Sequence, residues 1–360
     1  MDSCRLGIVG LGSAGAAMLE AAIRHSGIQV VGVADPRVDV LPVPGGIRRY
    51  HSLDELLCDT EVGVDAVYIA TPTTCHDTQI LACLSAGRHV MVEKPVTATS
   101  ADARRLIAKA RKQRRHVVVG HSESFEPYVR AAASVILGGE IGTPRVIISA
   151  RASEWMRRPR LEEEFQVAKG GGIVLRQGSH QLDVVRFIAG GGVARVVTAS
   201  ARNDPVRGQP GSYLAWLLLK SGIVAIVGHD ATGALAGSLP LIPGKIAGGE
   251  EYAKRERSDA LFASILAGGL AGLGASDLSL LVVVGSAGYL WADPFRLQIS
   301  SKRAGPEMRT FSHLSDGRTA ALDELIAATH GTVPLHDLAW GFANLRCCEQ
   351  INQISKYTDA

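Results

Sequence analysis

Apolar residues in the first third of the chain fall into short runs: Leu6 to Val9, Val30 to Ala34, Ala66 to Ala70, His89 to Val92 and Val117 to Val119. Such runs, with little polar alternation, suit strands buried on both faces. Between them lie stretches with helical spacing that begin near Ser13, Ser52, His76 and Ser100. Ser52 and Glu55 have the spacing of a capping box, and Gly87 stands where a helix would stop. This alternation predicts βαβ units, and so a parallel sheet, over residues 1–121.

The rhythm changes after His121. A helix is expected near Glu126 to Leu137 and a turn at Gly138 to Gly142. Strands are then expected near Val146, Val196, Tyr213, Val224, Leu280 and Leu297, with helices around Ala320 to Thr329 and Ala339 to Ile354. Residues 122–360 therefore read as an α+β domain on a large, mainly antiparallel sheet, serving substrate binding and oligomerisation. The stretch from Thr232 to Ser276, rich in Gly, Ala and Leu, has no strand alternation and is expected to be a partly helical excursion.

Composition narrows the class. At 46% hydrophobic and 20% charged residues, the 360-residue chain is globular, and no apolar run is long enough to span a membrane. Its formal charge of +3 is too small for the phosphate attraction that nucleic-acid binding needs, so no nucleic acid is expected. The six cysteines (Cys4, Cys58, Cys75, Cys83, Cys347 and Cys348) lack zinc-site or secreted-scaffold spacing and read as reduced thiols. With a strand starting near Leu6 and no signal-peptide pattern, a cytoplasmic location is expected. No H-E-x-x-H or clustered ligand set occurs, so no metal is expected.

Gly10, Gly12 and Gly15 form G-x-G-x-x-G directly after the first strand, with Ala14 at the mouth of the following helix. The glycines allow a tight turn, close backbone approach to a pyrophosphate and close helix-to-strand packing, while the helix N-terminus attracts phosphate. Asp35 ends the next strand, where a carboxylate accepts ribose hydroxyls and repels a 2′-phosphate. This favours NAD over NADP, with Arg37 as the counter-signal. Thr71-Pro72, with His76 beyond, and Glu93-Lys94-Pro95 follow later strands, at the edge where open α/β sheets bind ligands. A lysine held there can accept a proton from a substrate hydroxyl.

The glycine fingerprint, Glu93-Lys94-Pro95 and the Gly170-Gly171-Gly172 run followed by His180 and Asp183 together resemble the Gfo/Idh/MocA oxidoreductase family over nearly the whole chain. The resemblance implies a Rossmann domain followed by an α+β domain. It makes Lys94 and His180 the catalytic pair and moves a hydride between a hydroxyl-bearing carbon and nicotinamide. Sugar and inositol dehydrogenases of the family usually carry Asp four residues before the histidine; here the residue is Arg176. Its planar donor fork suits a carboxylate, so an anionic substrate is expected.

Arg158-Pro159-Arg160, Gln177 and Pro334-Leu335-His336-Asp337 look most like one branch of that family, the cis-dihydrodiol dehydrogenases of aromatic carboxylates, of the 4,5-dihydroxyphthalate dehydrogenase type. By this resemblance Arg176, Gln177, Arg158 and Arg160 face a carboxylated diol, with Trp155 as an aromatic plate near the active-site mouth. A homodimer or homotetramer is expected, to cover the open sheet of the second domain. Two alternatives remain open: a sugar, inositol or other polyol dehydrogenase of the same family, and a non-catalytic NAD(P)-binding regulator.

Overall fold

The structure, a computed structural model, describes residues 3–159, 162–167, 171–232, 277–302, 306–311 and 317–358. The chain divides into two compact units, Met1–Phe125 with Ser315–Arg346, and Glu126–Leu314 with Cys347–Ala360.

In the first unit six strands run in parallel: β1 (Cys4–Val9), β2 (Ile28–Ala34), β3 (Arg48–Tyr50), β4 (Ala66–Ile69), β5 (His89–Val92) and β6 (Val117–Val119). Their order is β3-β2-β1-β4-β5-β6, so the winding reverses between β1 and β4, the place where doubly wound sheets bind dinucleotides. Helices α1 (Ser13–Arg24), α2 (Leu53–Cys58), α3 (His76–Ser85) and α4 (Ser100–Gln113) link the strands. The expected cap forms at α2, where Ser52 Oγ accepts the Glu55 N–H at 3.2 Å and the Glu55 carboxylate accepts from His51 N–H at 2.9 Å. Gly87, at φ +71°, ends α3 as expected.

The second unit opens with α5 (Pro127–Leu137) and β7 (Pro144–Ser153). A π-helical turn, Val174–Gly178, then leads directly into α6 (Ser179–Ile188). Strands β8 (Val193–Asn203), β9 (Pro210–Leu219), β10 (Val224–Asp230), β11 (Asp277–Gly285), β12 (Gly288–Asp293), β13 (Arg296–Ser301) and β14 (Glu307–Thr310) follow. With β15 (Lys356–Thr358) they form a nine-stranded sheet ordered β14-β13-β12-β11-β7-β10-β9-β8-β15. Its pairs are antiparallel except β7 with β10 and β8 with β15. Helices α5 and α6 pack on β7, β10, β12 and β13, where Ile147, Val227, Leu290 and Leu297 are buried.

Past the second sheet the chain returns to the first unit with α7 (Gly317–Thr329), and α8 (Leu338–Ile354) carries the boundary between the units at Arg346 and Cys347. Ala321, Leu322, Leu325 and Ala328 form one stripe of α7 and share a core with Leu6, Ile8, Met18 and Val33. The division therefore differs from the expected 1–121 and 122–360. That apolar stripe completes the cover of the first sheet, so residues 315–346 belong with it. Apart from Thr232, the expected excursion to Ser276 lies outside the described residues. Among the described residues no helix is long and apolar enough to cross a membrane.

Candidate active site

The three fingerprint glycines meet three different constraints. Gly10 has φ +85°, and a Cβ there would stand 2.8 Å from the Ala70 carbonyl oxygen, because the turn presses on the end of β4. A Cβ on Gly15 would lie 1.8 Å from the Gly10 oxygen, so α1 approaches the turn as closely as a backbone can. Around Gly12 a Cβ would meet nothing within 4 Å, which leaves the outer side of the loop open. Gly12 is also the N-cap of α1 and provides no side-chain cap, so N–H groups of the first turn remain for an anionic ligand. This cradle fits a pyrophosphate.

Asp35 closes the cradle from the end of β2 and is only 5% exposed. Its Oδ2 accepts the Leu11 N–H at 2.8 Å. Its Oδ1 accepts the Arg37 N–H at 2.9 Å and the Arg37 guanidinium at 3.3 Å. Burial pushes the carboxyl pKa up, but these donors outweigh it and hold the group below the usual aspartate value. The carboxylate is thus charged, and Oδ2 keeps acceptor capacity for a ribose hydroxyl.

The ends of β4 and β5 are braced together. Glu93 accepts a 2.6 Å hydrogen bond from the buried Tyr68 hydroxyl, and the Lys94 N–H contacts the same carboxylate at 3.3 Å. Lys94 itself is half-buried, and its peptide bond to Pro95 is cis. On the β4 side, Thr71 Oγ1 donates to Gln79 at 2.5 Å and Pro72 caps a short 3₁₀ turn. His76 is 1% exposed, with Nε2 2.9 Å from the Thr71 carbonyl and Nδ1 3.1 Å from the Pro95 carbonyl. Burial lowers its pKa against the pull of these two acceptors. The ring expected to contact cofactor instead ties together the two turns that carry Thr71 and Lys94.

In the second unit the π-helical turn presents Arg176 and Gln177, and His180 follows in the first turn of α6, four residues after Arg176. Arg176 is ion-paired: its Nη2 donates to Glu164 Oε1 at 2.9 Å, and both side chains are about a quarter exposed, at 23% and 22%. The glycine run holds Glu164 in place. Gly172 N–H donates to the Glu164 carbonyl at 2.8 Å, Arg176 N–H donates to the Gly172 carbonyl at 3.0 Å, and a Cβ on Gly171 would collide with the Glu163 and Glu164 carbonyls.

Gln181, fully buried, anchors α6 by donating to the Ser149 and Gly228 carbonyls at 2.9 Å, while the Tyr213 hydroxyl donates to its Oε1 at 2.7 Å. Gly178 leaves room for that hydroxyl, which a Cβ would approach to 2.6 Å. Glu164 and Tyr213 are the site-supporting residues that the sequence reading missed. The only signal for the first was the acidic run Glu162-Glu163-Glu164.

Trp155 does not form the expected plate. It is 2% exposed, edge-on to Phe165 at 5.2 Å, and its apolar face is spent in the core. Arg158 is exposed, and Arg160 lies outside the described residues. Among the described residues no group of His, Cys, Asp or Glu could hold a metal ion.

Two family models match the chain. Residues 4–121 match the oxidoreductase family with an NAD-binding Rossmann fold, and residues 129–233 match the GFO/IDH/MocA C-terminal domain. A 1-carboxy-3-chloro-3,4-dihydroxycyclohexa-1,5-diene dehydrogenase of Comamonas testosteroni is 35% identical over 63% of this chain and 57% of that one. The chain thus spans little more than half the length of this relative. A 1,5-anhydro-D-fructose reductase of Ensifer adhaerens is 30% identical over 63% of this chain and 69% of its own. A crystal structure from Bordetella bronchiseptica RB50 superposes with a TM-score of 0.79 at 27% identity, covering 98% of this chain and 97% of the other.

Proposed function

The chain belongs to the Gfo/Idh/MocA oxidoreductase family, and on that premise we propose that it is an NAD-dependent dehydrogenase that oxidises one hydroxyl of a carboxylated cyclohexadiene cis-diol, giving a catechol. The observation that carries the substrate class is the half-buried Arg176 guanidinium, held on a π-helical turn four residues before His180. The similarity to a relative named for a carboxylated dihydroxycyclohexadiene supports the same reading.

Gly10, Gly12, Ala14 and Gly15 hold the pyrophosphate, and Asp35 takes the ribose hydroxyls and disfavours a 2′-phosphate, so NAD is preferred to NADP. Thr71, Pro72, Glu93 and Lys94 form the rest of the cofactor edge. The nicotinamide, when bound, supplies a hydride acceptor for the carbinol C–H. Lys94 takes the hydroxyl proton as the C–O bond becomes a carbonyl, and His180 orients that hydroxyl. Tautomerisation of the resulting ketone restores aromaticity and draws the oxidation forward. Gln177 bonds the second hydroxyl, and Arg176 holds the carboxylate, with Arg158 and Arg160 adding positive charge.

Because Arg176 already pairs with Glu164, a substrate carboxylate enters by exchange with the Glu164 carboxylate. Glu164→Gln should therefore lower KM for the charged diol. The experiment that tests the function is incubation with NAD and a carboxylated cis-dihydrodiol, following nicotinamide reduction and catechol release together. One catechol per reduced cofactor is expected, and no turnover of any carboxylated diol would defeat the reading. The same ion pair supports a second reading, a neutral polyol substrate, since Glu164 compensates the Arg176 charge; turnover of uncharged polyols alone would select it.

The outer face of the nine-stranded sheet suits a second copy of the chain. Trp216, Ile226, Ile148, Val282 and Trp291 lie side by side across five strands by register. Beside this row Leu214 and Tyr289 are also exposed. A symmetric dimer or tetramer would cover this row. A cytoplasmic location agrees with the free cysteines and the nicotinamide cofactor.

A further inference from the structure

At the amino ends of the first sheet's strands, the edge opposite Gly10 and Lys94, lies a polar cavity of about 390 Å³. Arg88 and His89 reach it from the start of β5, Arg115 from just before β6, Asp65 from just before β4, His330 from the end of α7 and Ser3 from ahead of β1. At about 30 Å³ per water, the space holds a small ion with several waters.

Asp65 is the one acidic residue lining it, against Arg88 and Arg115, and its charge also acts on Arg88. The Asp65 carboxylate is taken up by Arg5, whose backbone N–H, Nε and Nη2 donate to it at 2.9, 3.1 and 2.9 Å. Arg115 is held by backbone carbonyls, Nε on Gly87 at 2.6 Å and Nη1 on Arg114 at 3.1 Å, which fix its guanidinium without neutralising it. Arg88 Nε is buried and has no hydrogen-bond partner among the described residues. Two guanidinium groups held beside one cavity favour an anion there, which would offset their charge.

His89 supports the same picture. Its Nδ1 lies 3.3 Å from the His116 N–H and accepts from it, which puts the neutral ring's proton on Nε2. Burial first, then the positive charge of Arg115 and His116, pushes its pKa down to about 4.

We propose that this cavity is a binding site for a small dianion, a phosphate or an aliphatic dicarboxylate, with Arg88 and Arg115 as its counter-ions. The four residues of β5 span about 13 Å, so the occupant pins the start of the strand that leads into Glu93 and Lys94 without entering the dinucleotide cradle. The site is independent of which alcohol the enzyme oxidises.

The test uses the NAD-loaded protein, so that the pyrophosphate cradle is already filled. Thermal midpoints are recorded against inorganic phosphate and against succinate, with sodium chloride at matched ionic strength as the baseline. A saturable rise beyond chloride is expected. In both Ser3→Asp, which places a negative charge on an exposed residue at the rim, and Arg88→Met, half-saturation should move up roughly tenfold or more. A response to phosphate alone identifies a phosphate site, and a response to both anions a general dianion site. A shift no larger than that of chloride, or an unchanged half-saturation in Ser3→Asp, overturns the proposal. Should Arg88→Met fail to fold, the exposed Ser3→Asp variant decides alone.

Discussion

In the first sheet every residue of β4 and β6 is buried, whereas in β9 of the second sheet Tyr213, Ala215 and Leu217 are buried while Leu214 and Trp216 between them stand 55% and 49% exposed. A parallel sheet wrapped by helices on both faces keeps only its strand ends for chemistry, and the cradle and Lys94 occupy them. Among the described residues, α5 and α6 cover one face of the nine-stranded sheet; the proposed substrate residues Arg176 and His180 stand just before and on α6, and the proposed association surface is the other face. The difference is one of cover, and it sets where each kind of function can be built.

Charge placed at matched positions probes that difference most severely. Val67→Lys, in the middle of β4, buries an unpaired ammonium at a cost of several kcal/mol, comparable with the whole stability of an ordinary domain, and should yield no cooperatively melting protein. Circular dichroism melts check this. The next effect is catalytic: Lys94→Ala should lower kcat by roughly 100-fold or more at saturating NAD, read from steady-state rates. Trp216→Lys should melt like the parent yet weaken self-association by roughly thirtyfold or more, measured by sedimentation; an unchanged oligomer would remove the outer face from the interface. Smallest is cofactor choice, where Asp35→Ser should narrow the preference for NAD over NADP by roughly tenfold in kcat/KM. A parent enzyme that already prefers NADP would show that Arg37 dominates.

How far the site could be read from the sequence follows the same division. Gly10, Gly12, Gly15, Asp35 and Lys94 each stand at or just after a short apolar run, so their place at the strand ends could be inferred from local pattern. His76 was legible as a neighbour of that edge but not as a brace, because its partners are the carbonyls of Thr71 and Pro95, and the Pro95 contact forms only once β4 and β5 pair. The Arg176 to Glu164 ion pair depends on how the glycine run folds the intervening loop back. No periodicity encodes that contact. Trp155 departs from expectation for a related reason: the family resemblance places it as a plate near the active-site mouth, while its actual surroundings are set by Phe165, ten residues on. The return of α7 to the first unit was hidden too, since its apolar stripe would have served either sheet.

The central claim, that Arg176 selects a carboxylated diol, is tested most directly by comparing kcat/KM on a carboxylated cis-dihydrodiol and on its uncharged analogue. The enzymes compared are the parent and the double variant Arg176→Met with Glu164→Gln, which removes both charges and leaves no buried carboxylate unpaired. Losing the contact between guanidinium and substrate carboxylate should cost on the order of 2 kcal/mol or more, so efficiency on the charged diol should fall roughly thirtyfold or further, while the neutral diol changes by less than about threefold. Equal losses on the two substrates would contradict the account and make the ion pair a support for the loop fold alone.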